Sequence, residues 1–198
     1  MQARARARLS HLLDNIASGA PAPASGSAAA AVVAASAALV QKVARLSEKQ
    51  MAGESAAYFE RAERLRLHAE ELVEHDTHAY LDYVAARRSG DGVAEAERRT
   101  VDVPLDICRS AGEAVEMASH VGAKGNPNLH EDAVIAAILA EAAARSAARL
   151  VDANLGPTAR DARREEARRI VRAATARVKG LAGAPGRGRA QSAGSGRS

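Results

Sequence analysis

Three observations predict an all-α fold for this 198-residue chain. Ala, Leu, Glu and Arg, all strong helix formers, dominate it, while residues that favour strands are sparse: aromatics are 2% and Trp is absent. Apolar residues recur at helical spacing. Gly, Pro and Asn gather in short clusters that divide the chain into six helical segments. Six helices joined by short loops make an antiparallel bundle. The length suits one domain, read as residues 1–182, with a disordered basic tail over 183–198 that is rich in Gly and Ser.

The first helix is expected over residues 3–17 and ends near Gly19. The second runs from Gly26 to Met51, with Val32, Val33, Leu39, Val40, Val43 and Leu46 at helical spacing. The third covers residues 54–88, after which Gly90 and Gly92 break the chain. The fourth spans 93–121, with a kink or break expected at Pro104. The fifth follows Asn128 and stops before Gly156 and Pro157; the sixth covers 158–181. Alanine-rich helices approach closely but bury little area per residue, so a subunit interface is expected to supply further burial.

The formal net charge of +4 is concentrated at the two ends, in "MQARARAR" and beyond Arg160. Nucleic-acid binding is the functional alternative to a solvated tail, and the tail reading is preferred. Cys108 is the lone cysteine, which excludes an internal disulfide and fits a reducing, cytoplasmic setting. No signal peptide is read at the start. The longest apolar stretch, residues 28–40, is judged too short to span a bilayer, so no membrane partner is expected.

Asp76 is the most informative residue. On a 3.6-residue period it falls within the face formed by Ala62, Leu65, Ala69, Leu72, Val73, Tyr80 and Val84. A carboxylate in an apolar stripe must be paired, hydrogen-bonded or protonated, and burial raises its pKa towards the range useful for acid–base work. The bland alternative is a wet helix edge. His75 and His78 stand three apart but lack a third ligand nearby, so no metal is expected. In "NPNLHED", Asn128 and Glu131 read as a capping box, with Asp132 favoured by the helix dipole. In "PAPASGSAAA", Ser25 or Ser27 can cap the second helix, and Gly26 admits a ligand to free N–H groups. Spacing alone does not separate cap from ligand site.

Together these segments resemble the cyclodeaminase/cyclohydrolase family of folate enzymes, over residues 9–155. "SGAPAPASGSAAA" is similar to the family's Pro-x-Pro-Gly-Gly-Gly-Ser-x-Ala-Ala loop, and "EHDTHAYLDYV" to its Asp-x-x-Ala-Phe segment. "VDVPL" matches a Val-Pro-Leu, and "GNPNLHEDAVIAAILAEAAARSAARLVDANL" its Asn-x-Asn-x-x-Ser-Asp helix with the closing Asn-Leu. The chain departs in having Ala24-Ser25-Gly26 for three glycines, Glu131 for a Ser, and Leu150 and Asp152 for the first Asn and the Arg of the closing segment. It lacks the Lys-Leu-Pro-Lys stretch, where Arg87 and Arg88 are the nearest cations.

The resemblance implies a helical homodimer or ring of dimers with its ligand site near the subunit interface. It implies a tetrahydrofolate derivative as substrate, with no prosthetic group. The reaction would be methenyltetrahydrofolate cyclohydrolase or formiminotetrahydrofolate cyclodeaminase chemistry. Asp76 would transfer protons, while Ser25, Gly26, Ser27, Asn126, Asn128, Asp132 and Asn154 would bind substrate and a nearby cation would take its glutamate tail. The departures motivate two alternatives: a folate-binding dimer of the same fold without turnover, and a structural bundle whose basic ends contact a partner.

Overall fold

The computed structural model describes residues 2–183, with side chains from Leu9 onward. These residues form α1 (Gln2–Ile16), α2 (Ser25–Arg45), α3 (Glu48–Met51), α4 (Glu54–Ser89), α5 (Val93–Lys124), α6 (His130–Leu155) and α7 (Ala162–Gly183). A single 3-10 turn, Pro127–Leu129, precedes α6, and there is no strand among the described residues. The all-α expectation holds. The expected tail lies outside the described residues except for Gly183, which closes α7.

Helix α2 packs on α4, α5 and α6, and α5 on α2, α4, α6 and α7. Helix α6 runs antiparallel to α2: Lys42 Nζ meets Asp132 Oδ2 at 2.9 Å, and Ser36 Oγ donates to the Ala136 carbonyl at 2.8 Å. Ser36 is fully buried, and its short side chain reaches a backbone on the next helix because the facing alanines let the two approach closely. Two apolar clusters fill the bundle. One gathers Val40, Val43, Leu65, Met117 and Val121; the other gathers Val33, Leu72, Leu105, Ile107 and Val151. Cys108 lies in the second, and burial pushes its thiol up to about 12, so it behaves as a small core residue.

Four sequence expectations are corrected. The second helix does not reach Met51, because Ser47 leaves it: the fully buried Ser47 hydroxyl accepts the Asn126 N–H at 2.8 Å and anchors the loop before α6. The chain then turns through Ala52 and Gly53, both at positive φ (43° and 91°), into α4. Pro104 does not end α5, which runs through it from Val93 to Lys124 without the N–H that would meet the Thr100 carbonyl. Asn128 does not cap α6; its N–H is instead held by Asn126 Oδ1 at 3.0 Å, which caps the 3-10 turn. The last helix begins at Ala162, where Asp161 Oδ1 accepts the Arg163 N–H at 2.8 Å.

By length and composition α2 is apolar enough to cross a membrane, contrary to the expectation from residues 28–40. Half of its apolar window is buried against protein, which is the pattern of a core helix.

Candidate active site

Helix α2 begins without a cap of its own, because Ala24 at its N-cap has no side-chain oxygen. The cap comes from α4. Asp76 Oδ2 accepts the Ser27 backbone N–H at 2.8 Å and the Ser27 hydroxyl at 2.9 Å. This is the bond an N-cap side chain would make to the third helical residue, supplied from 49 positions away. Neither Ser25 nor Ser27 caps the helix: Ser25 is exposed in its first turn, and Ser27 is buried as a donor to Asp76.

Gly26 explains why the carboxylate fits. A Cβ there would stand 2.0 Å from Asp76 Oδ1 and 2.4 Å from its Cγ. The carboxyl group therefore lies directly over the glycine backbone. One of its oxygens is held by Ser27, and no hydrogen bond among the described residues reaches the other. Burial raises the Asp76 pKa above the ordinary carboxylate range, and the two Ser27 hydrogen bonds oppose that rise. The result is a positioned, half-buried carboxyl group with one free oxygen.

That group opens onto a cleft of about 890 Å³ between the loop before α2, α4, α5 and the C-terminal end of α6. A cleft of this size suits a ligand of several rings. Tyr80 and Tyr83 line it one and two turns beyond Asp76. Tyr80 is 44% exposed, so it belongs to the cleft rather than to the apolar face assigned from periodicity. Arg98 and Arg163 supply positive charge. Arg98 pairs with Glu95 at 2.5 Å and Arg163 with Asp102 at 2.8 Å. Arg87 and Arg88 are not among the lining residues.

Asn154 also lines the cleft, and it does so by completing α5. Pro104 has no N–H for the Thr100 carbonyl four residues earlier. Asn154 Nδ2 donates to that carbonyl at 2.6 Å, tying the end of α6 to α5 beside the site.

The sequence-predicted site residues thus divide. Asp76, Ser25, Gly26 and Asn154 line one cleft, with Ser27 behind Asp76. Asn126, Asn128 and Asp132 lie at the other end of α2, a helix of 21 residues and so about 30 Å long. Asn126 is engaged with Leu46, Ser47 and Asn128, while Asp132 is paired with Lys42. Tyr83, Arg98 and Arg163 were missed. Tyr83 had a signal, since residues 76, 80 and 83 share one helix stripe; the arginines come from other elements and had none. His75 and His78 are exposed, and no group of three metal-ligating side chains occurs among the described residues.

Fold and site define a class: an alanine-rich helical bundle with a half-buried capping carboxylate lining a cleft at the N-terminal end of α2. The chain belongs to the formiminotransferase-cyclodeaminase family, whose description it matches over residues 8–173. It is 33% identical over 153 residues to a methenyltetrahydrofolate cyclohydrolase of Methylorubrum extorquens, covering 69% of this chain and 73% of that protein. Its fold is similar to that of formiminotetrahydrofolate cyclodeaminase from Thermotoga maritima, with a TM-score of 0.75 and 24% identity. That match covers 85% of this chain and 88% of the other.

Proposed function

We propose that this chain is a folate one-carbon enzyme that hydrolyses 5,10-methenyltetrahydrofolate to 10-formyltetrahydrofolate, with Asp76 as the proton-transfer group. The observation that carries the reading is the carboxyl group itself: it is pinned through Oδ2, free at Oδ1, shifted upward by burial and open to a ligand-sized cleft. A water adds to the carbon between the two folate nitrogens and gives its proton to Asp76. The C–N5 bond of the resulting hydroxy adduct then breaks as its hydroxyl loses the second proton to solvent and becomes the formyl oxygen, while the proton on Asp76 passes to N5. Tyr80 and Tyr83 offer ring faces to the pterin, and Arg98 and Arg163 offer charge to the glutamate tail. Ser25 and Gly26 contact the substrate at the helix mouth, Ser27 orients Asp76, and Asn154 holds the opposite wall. The reading includes a homodimer, no prosthetic group and a cytoplasmic location; the buried free thiol of Cys108 supports the last.

The missing lysine stretch and the paired state of Arg98 and Arg163 favour a second reading, folate binding without turnover. Decay of 5,10-methenyltetrahydrofolate near-ultraviolet absorbance separates the two. The enzyme accelerates it above the uncatalysed background, and Asp76→Asn returns it to background. Saturable folate binding with no acceleration establishes the binding protein instead.

A further inference from the structure

The charged side chains that line the cleft are not equally satisfied. Among the described residues, Asp76 accepts twice from Ser27, Arg98 lies 2.5 Å from Glu95, and Arg163 lies 2.8 Å from Asp102. Glu97 lines the same cleft, and its ion-pair contact among the described residues is with Arg87, at 3.9 Å. That is too long for a hydrogen bond, and the Glu97 side chain is 52% exposed. Its two oxygens are acceptors that no donor among the described residues fills.

Glu97 lies on the α4 side of α5. The pairs Asp82–Arg99, at 2.9 Å, and Arg87–Glu97 set the two helices antiparallel. The first of them puts Glu97 level with about residue 84, roughly eight residues or about 12 Å along α4 from Asp76. Tyr80 and Tyr83 line the cleft between those two levels. Arg98 lies on the other side of α5, one turn before Asp102, whose carboxylate holds Arg163 of α7. One wall of the cleft is therefore acidic and aromatic, and the other basic.

We propose that Glu97 binds the amino edge of the pterin ring and makes the cleft specific for a 2-amino-4-oxo heterocycle, an assignment that rests on the folate reading of this cleft. In that ring the 2-amino group and N3–H are donors on neighbouring atoms, and a carboxylate accepts both through its two oxygens. Asp76, the other carboxylate of the cleft, is held by Ser27 and works on the reacting carbon. The two acids stand about as far apart as a bicyclic pterin reaches with a water at its reacting carbon and a hydrogen bond at its amino edge. The rings then lie along Tyr80 and Tyr83.

The order of charges favours the same orientation. The 5,10-methenyl carbon joins two nitrogens as an amidinium cation, and the glutamate tail is anionic. The acidic wall takes the cationic ring system and the arginine wall takes the tail. The reversed orientation would set the tail carboxylates against Glu97 and turn the amino edge to Arg98 and Arg163, donor against donor.

Steady-state kinetics of the full chain with 5,10-methenyltetrahydrofolate and with its 2-desamino-2-methyl counterpart test the contact. The counterpart keeps the reacting carbon and the tail but lacks one of the two donors. The wild type should show a KM about tenfold higher for it, because a hydrogen bond to a charged acceptor is lost. Glu97→Gln should raise KM for the amino compound about tenfold, leave kcat within about twofold, and no longer distinguish the two compounds. Arg87→Ala should keep the wild-type KM and the wild-type discrimination. Thermal melts in circular dichroism check that these exposed substitutions leave the fold intact. Equal KM values for the two compounds in the wild type overturn the proposal without any variant. So does an unchanged KM or full discrimination in Glu97→Gln, or an Arg87→Ala protein that matches it. If the wild type binds both compounds without turnover, the same comparison is read in Kd, so failure of the reaction leaves the contact tested. A wild type that neither converts nor binds 5,10-methenyltetrahydrofolate removes the folate reading, and the role of Glu97 with it.

Discussion

The two ends of α2 are built alike and finished differently. At each end a polar side chain lies against a glycine where a Cβ would collide with it: Asp76 against Gly26, and Ser47 against Gly125. At the C-terminal end the Ser47 hydroxyl takes the Asn126 N–H and is fully buried. At the N-terminal end Asp76 lines the cleft and holds Ser27 through one oxygen, while no hydrogen bond among the described residues reaches the other. A buried polar group whose partners are complete stabilises structure. One that keeps a free oxygen and a raised pKa retains the capacity to react. Helix-end architecture is common to both; the unfilled valence makes one a candidate site.

Asp76→Asn is the substitution that breaks the comparison most sharply. The amide still accepts from Ser27, so the cap survives, but proton transfer is lost. Turnover should fall by roughly 10² to 10⁴. The stability effect has the opposite sign. The folded carboxyl has a raised pKa, so the folded protein binds more protons than the unfolded chain between the two values. Stability from this group is therefore present at low pH and lost as pH rises through the folded pKa. Asn does not titrate, so denaturant melts should show the variant gaining on wild type as pH rises across that window. The wild-type kcat/KM should rise with pH on a limb lying above the ordinary carboxylate range. A limb at the ordinary value would remove Asp76 from the mechanism.

The glycine pair comes next. In Gly26→Ala the new Cβ displaces the carboxyl group, so turnover should drop nearly as far as in Asp76→Asn, with about 1–3 kcal/mol lost in stability. In Gly125→Ala the Cβ meets the Val121 carbonyl at 2.3 Å and Ser47 Oγ at 2.6 Å. Backbone yields less easily than a side chain, so the loss of stability should be larger. The pH limb of turnover should keep its position. Urea melts and pH–rate profiles on both variants check the pair; equal profiles in the two would dissolve the distinction between the ends.

Ser47→Ala sharpens the structural end. It leaves the Asn126 N–H without its buried acceptor, at a cost of about 1–3 kcal/mol by denaturant melt. This contact also shows what the sequence could not express. Ser47 and Asn126 are 79 positions apart, and a serine within a helical apolar pattern gives no sign that it will leave the helix. The same limit applies at the other end. Periodicity singled out Asp76, and loop composition singled out Gly26 and the serines, because those are local signals. Their union across 49 positions is tertiary, so the helix was assigned a serine cap that it does not use. Tyr80 was legible as a neighbour of Asp76 yet was read as core. A periodic stripe cannot say where the bundle stops covering it. Arg98 and Arg163 enter the cleft from α5 and α7, with nothing in their own segments to distinguish them.

The smallest expected effect concerns Asn154, which resemblance marks as a substrate ligand and geometry marks as a helix repair. If its chief work is to satisfy the Thr100 carbonyl that Pro104 leaves open, Asn154→Ala should cost about 1 kcal/mol in a denaturant melt. Pro104→Ala should then relieve much of that cost, because the restored N–H reaches the same carbonyl. The double-mutant cycle isolates this coupling. If Asn154 also touches folate, KM should rise in Asn154→Ala and stay raised in the double variant, since mending the helix does not replace the amide. Coupling in stability with no change in KM assigns the residue to the wall of the cleft. A raised KM without coupling assigns it to the ligand.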